Sequence, residues 1–109
     1  MSATAATGLI AVVTTLATRD DARRIAWDLV ERGLVACAQL SDIESVYAWQ
    51  GAVQQEPEVR LLMKTTADRY ADVEAAIRAM HPYDLPAIYA LPVTAALPAY
   101  ASWVTGGTS

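Results

Sequence analysis

The 109-residue chain contains no phenylalanine and no asparagine, and only one cysteine, one histidine and one lysine. Cys37 has no second cysteine to pair with inside the chain, so a disulfide framework is excluded and a reducing, cytoplasmic location is expected. His81 has too few companions for a zinc site of ordinary type. Lys64 and seven arginines face 12 acidic residues, and the net charge is −4. No cluster of cations suits a phosphate backbone, so no nucleic-acid partner is expected. No apolar run is long enough to cross a bilayer, and no membrane partner is expected. The run over residues 9–13 is too short for the apolar part of a signal peptide, and no basic residue precedes it. Nucleophile elbows, phosphate-cradling glycine loops, HExxH and dinucleotide fingerprints are all missing, so catalytic residues and an enzyme activity are not expected.

What is present is alanine, 22 residues of it, within a hydrophobic share of 54%. That length and share suffice for one domain, but small side chains build a thin core, and thin cores often gain stability by oligomerising. The expected organisation is a disordered tail over residues 1–8, a domain over 9–105 and a fraying tail over 106–109.

Residues 9–16 form a β-branched apolar run and read as a central strand. Thr18 caps a helix that carries Asp20 and Asp21 in its first turn. Its apolar stripe is Ala22, Ile25, Ala26, Leu29 and Val30, and Gly33 stops it. Residues 34–40 read as a second strand, and Ser41-Asp42 as a bulge or bend. Two long alternating arms, 43–49 and 52–66, then meet at Gln50-Gly51 as a hairpin. Arms this long overhang a small core and leave Tyr47 and Trp49 near the tip, uncovered unless another chain covers them. Pro57 marks an edge or a bulge. A second helix opens at Thr66 with the stripe Tyr70, Val73, Ala76, Ile77 and Met80, and ends before Pro82. Residues 87–93 read as a fourth strand near an edge, because of Pro92, and 99–104 as a terminal helix. The order is βαββαβ, an α+β ferredoxin-like sandwich with its helices on one face, a long hairpin and a short C-terminal helix.

Five stretches carry a resemblance over residues 10–104: Leu34-Val-Ala-Cys-Ala-Gln, Ile43-Glu-Ser-Val-Tyr-Ala-Trp-Gln-Gly, Glu58-Val-Arg-Leu-Leu-Met-Lys-Thr-Thr, His81-Pro-Tyr-Asp-Leu-Pro and Tyr100-Ala-Ser-Trp. In this order and spacing the chain resembles CutA, the divalent-cation tolerance proteins. The resemblance implies a homotrimer similar in architecture to the PII signalling proteins, with the hairpin reaching onto a neighbouring subunit. It implies a divalent cation, copper first, as the ion to be expected, and a binding or signalling role in metal tolerance. Copper-binding relatives carry a cysteine and a His-His pair at the positions of Thr14, Met80 and His81, so these three are the candidate metal ligands. The thioether of Met80 suits Cu(I). Ala87 stands where the family usually has glutamate.

Each candidate also has a plainer reading. His81 at a helix end can simply bond the last carbonyls. Cys37 among alanines reads as a small buried hydrophobe. Lys64 is either an anion holder or the partner of Glu58 or Glu44 in a salt bridge. Glu56 and Glu58 share a strand face, where a hard cation or plain water would meet them. Tyr47, Trp49, Tyr83 and Trp103 suit packing between subunits. Two alternatives to metal response follow. One is a sensor of a small anionic metabolite in an inter-subunit cleft lined by Cys37, Tyr47, Trp49, Glu58, Lys64 and Tyr83. The other is a purely structural assembly partner.

Overall fold

The computed structural model describes residues 7–108. Of the tails expected over residues 1–8 and 106–109, residues 1–6 and 109 lie outside the described residues, and Gly106 is the last residue of the final helix. The elements are β1 (Leu9–Leu16), α1 (Arg19–Glu31), β2 (Cys37–Trp49), β3 (Ala52–Thr66), a 3-10 turn (Ala67–Arg69), α2 (Tyr70–Met80), β4 (Ile88–Val93) and α3 (Pro98–Gly106). One four-stranded antiparallel sheet runs in the order β2-β3-β1-β4.

Local chemistry sets each boundary. Thr18 Oγ1 accepts the amide of Asp21 at 3.2 Å and so starts α1. At its end Gly33 adopts φ +71°, and the Gly33 and Leu34 amides bond the carbonyls of Val30 and Leu29, both at 3.0 Å. That pair of bonds is a Schellman stop, which needs a left-handed residue. Val30 leaves the expected stripe and is 42% exposed. In the hairpin Gln50 and Gly51 have φ +51° and +79°, the signs of the tight turn that matches strand twist.

The core lies between one sheet face and two helices. Ile10, Val12, Leu16, Val59, Leu61 and Met63 meet Ala22, Ile25 and Leu29 of α1 and Val73, Ala76 and Ile77 of α2. The helices do not all share that face. α3 lies against β3 and β1, and Cys37 Sγ lies 3.9 Å from the Tyr100 hydroxyl, on the sheet's other side. Leu97-Pro98 starts α3 beyond the edge strand β4, which carries it there.

Two further expectations are corrected. Residues 34–36 are a connection rather than strand, because the Leu34 and Val35 amides are spent on the Leu29 carbonyl. Ser41-Asp42 makes no bulge: β2 pairs β3 without a break from Cys37↔Lys64 to Trp49↔Ala52. The Asp42 carboxylate points to the helix layer, where Arg19 binds it at 2.9 Å. Pro57 sits in an unbulged stretch where β3 has only one neighbour, because β1 ends at Leu16↔Val59.

An uncovered sheet face and an overhanging arm

β1 stops opposite Val59, whereas β2 and β3 continue paired for seven more positions, Ile43↔Glu58 to Trp49↔Ala52. This overhang gives the molecule its longest dimension, 44 × 31 × 22 Å overall. Among the described residues no third strand lies beside it, and Tyr83 meets it at its root, on Glu58. Tyr47, Trp49, Val46 and Val53 are exposed there, Val53 by 77%.

Alternation sorts the side chains of the arm and the sheet. Met63, Leu61 and Val59 face the helices. Lys64, Leu62, Arg60, Glu58 and Glu56 face the other way, with Cys37, Gln39, Tyr47 and Trp49 of β2 beside them. Val13 of β1 and Tyr89 and Leu91 of β4 complete this second face. α3 lies against β3 and β1 at the end around Cys37, and Leu9, Ala11 and Val13 of β1 are buried on this face. Tyr89 and Leu91 remain about half exposed, at 48% and 49%.

The residues expected to form one cleft fall into two groups. At the root of the arm the Tyr83 hydroxyl donates to Glu58 at 2.8 Å, and the Tyr83 ring packs edge-on against His81. Burial first, then the Glu58 hydrogen bond and charge, pushes the Tyr83 phenol far above its ordinary range. Tyr47 shares this region, its phenol raised by burial and by Glu56 beside it. At the far end Cys37 lies under Tyr100, opposite Lys64. Lys64 and Glu58 are six residues apart along β3, about 20 Å. One chain therefore does not bring Lys64 and Tyr83 together.

Lys64 does not pair with Glu58 or Glu44. Its ammonium donates to Gln39 Oε1 at 2.7 Å, and Glu44 points to the opposite face. The register explains the contact: Gln39 stands opposite Leu62, so Lys64 is its diagonal neighbour. Sequence alone could show this only once the turn at Gln50-Gly51 had fixed the pairing. Cys37 is half-buried rather than buried, because it faces α3 and not the helical core. Trp103 stacks on Tyr100 with centroids 5.9 Å apart, remote from the arm.

The three candidate metal ligands lie around the end of β1. Thr14 is fully buried, and its hydroxyl has no hydrogen-bond partner among the described residues. Met80 packs partly against the core, and its carbonyl takes the Arg24 guanidinium at 3.0 Å. His81 is buried, with Nε2 2.8 Å from the Thr15 carbonyl and Nδ1 accepting the Tyr83 amide at 3.1 Å. A carbonyl requires a donor and an amide requires an acceptor, so the ring is the neutral Nε2–H tautomer and both nitrogens are in use. Burial lowers its pKa, against the opposing pull of the Thr15 bond and of Asp21 and Glu58. No lone pair is left for a cation. Among the described residues no three His, Cys, Asp or Glu side chains converge as a metal group. The residues of one chain do not fit a metal at this position.

Comparison with known proteins gives a consistent result. The family model described as CutA1 divalent ion tolerance protein matches residues 10–106. The Divalent-cation tolerance protein CutA of Thermus thermophilus is 37% identical over 98 residues, 89% of this chain and 95% of the relative. The chloroplastic Protein CutA of Arabidopsis thaliana is 34% identical over 91% of this chain and 55% of its own length. Among solved structures, the divalent ion tolerance protein CutA1 from Ehrlichia chaffeensis superposes with a TM-score of 0.88 at 37% identity, covering 94% of this chain and 96% of that one.

Proposed function

The chain belongs to the CutA1 divalent ion tolerance family, and on that premise we propose that it acts in divalent-cation tolerance as a homotrimeric, PII-like binding or signalling module. The observation that carries this reading is the overhanging arm with its exposed aromatics, beside a sheet face that the chain's own helices leave half open. A soluble protein gains by covering such a surface, and sister copies are the cover always at hand. The strand order β2-β3-β1-β4 with two βαβ crossovers supports a ferredoxin-like subunit. The single cysteine suits a reducing, cytoplasmic location.

The role in tolerance does not run through Thr14, Met80 and His81 of one chain, because the imidazole is already satisfied on both sides. Copper is the first cation to test. Calorimetric titration of tag-free protein with Cu(I), Cu(II) and Zn(II) should give any binding unchanged in a folded His81→Asn variant. Loss of copper binding in that variant, with the fold intact, would return the ion to His81 and overturn this part of the reading. Binding no stronger than background would remove a direct ligand role for copper and leave a signalling one. A second reading draws on Lys64, whose ammonium meets, among the described residues, a neutral amide and no carboxylate: a small anionic metabolite held where copies meet. A melting shift with a metabolite panel, lost in Lys64→Gln, is its expected signature.

A further inference from the structure

Two methionines lie among the described residues, and the fold treats them differently. Met63 is fully buried in the core between the sheet and the helices. Met80, the last residue of α2, is half-buried. It packs against the core and also lines an open depression between α1 and the end of α2, with Arg23, Arg24 and Trp27. Trp27 is 72% exposed and does not close that depression.

A hydrogen-bond donor already stands beside Met80. The Arg24 guanidinium reaches across from α1 and donates to the Met80 carbonyl at 3.0 Å. Its other bond, 3.4 Å to Asp21, leaves from the same nitrogen, Nη2. A guanidinium has more N–H groups than these two bonds use. Among the described residues Nη1 and Nε of Arg24 therefore keep donors that no acceptor takes. A thioether is a weak acceptor and leaves such donors to water, whereas a sulfoxide oxygen is polar and accepts strongly.

We propose that Met80 is the methionine at which a peroxide oxidises the folded protein, and that Arg24 receives the new sulfoxide oxygen. The thioether sulfur attacks one peroxide oxygen, and the S–O bond forms as the O–O bond breaks. Sulfur gives up two electrons and the peroxide is reduced. The leaving hydroxide takes the proton from the oxygen now on sulfur and departs as water. Methionine sulfoxide reductases return the product to the thioether, so the mark is reversible. The site belongs to the helix layer, on the other side of the sheet from Tyr89 and Leu91, and does not depend on how copies assemble.

Hydrogen peroxide added to the tag-free protein, followed by peptide mass spectrometry, tests the site. Met80 should gain one oxygen about tenfold or more faster than Met63 in the folded chain, and at a similar rate in denaturant, where burial no longer separates the two. Thermal unfolding at fixed protomer concentration tests the role of Arg24. Oxidation should lower the melting temperature of the parent by about 2–4 °C, because a polar oxygen now sits at the edge of the core. The loss should be about twofold larger in Arg24→Ala, where that oxygen has no guanidinium to meet, and absent in Met80→Leu. Circular dichroism checks that both variants are folded. Met80 oxidised no faster than Met63 in the folded chain, or an equal loss in Met80→Leu, would overturn the site. An equal loss in the parent and in Arg24→Ala would overturn the part given to Arg24.

Discussion

With Nε2–H on the Thr15 carbonyl and Nδ1 on the Tyr83 amide, His81 ties the end of β1 to the linker after α2, and through Tyr83 to Glu58 at the root of the arm. His81→Ala would leave a carbonyl and an amide without their partner. We expect a loss of about 2–3 kcal/mol in denaturant unfolding at fixed protomer concentration. The sign of the pH effect follows from the lowered pKa. Between the folded and unfolded pKa values the unfolded chain binds the extra proton, so stability rises with pH there. This contribution is complete above the ordinary histidine value, about 6.5, and falls away as pH drops through the lower folded value. The titration of His81 followed by NMR should therefore lie below that of a free imidazole. Thr14 makes the opposite case. Its buried hydroxyl has no partner among the described residues, so Thr14→Val should be neutral or stabilising by up to about 1 kcal/mol in the same assay.

At the scale of elements, the hairpin turn is the point most open to improvement. Gln50 sits at φ +51°, a conformation that asparagine tolerates better and in which Asn-Gly is the favoured pair. Gln50→Asn should raise stability by about 0.5 kcal/mol in thermal unfolding. The elements that sequence made legible are those with complete local signals. α1 carried its cap, its period and its glycine stop, and β3 carried strict alternation up to Thr65. The errors arose where tertiary context outweighed local chemistry. Ser41-Asp42 looks like punctuation, but an edge strand templated by β3 runs straight through polar residues, and Arg19 gives Asp42 a partner. The partners of Lys64 and Cys37 were hidden for a related reason: Gln39 and Tyr100 become neighbours only through register and through the path of α3. His81 was visible as a helix-terminal residue, but the Thr15 carbonyl it binds lies 66 residues away.

For the whole molecule, the balance is between a thin core and a large uncovered surface. Tyr89 and Leu91 stand half exposed on a sheet face that α3 only partly shields, and the arm carries Tyr47 and Trp49 into the open. In the proposed trimer such a subunit would be completed by its copies, with Tyr47 and Trp49 as the anchors of the contact. Replacing Tyr47 and Trp49 together with serine should shift assembly to higher concentration by about tenfold or more, with the far-ultraviolet spectrum unchanged. The most direct test is sedimentation equilibrium of the tag-free parent chain at micromolar concentration. A single species of three protomers is predicted, and a folded, non-associating monomer would contradict the account.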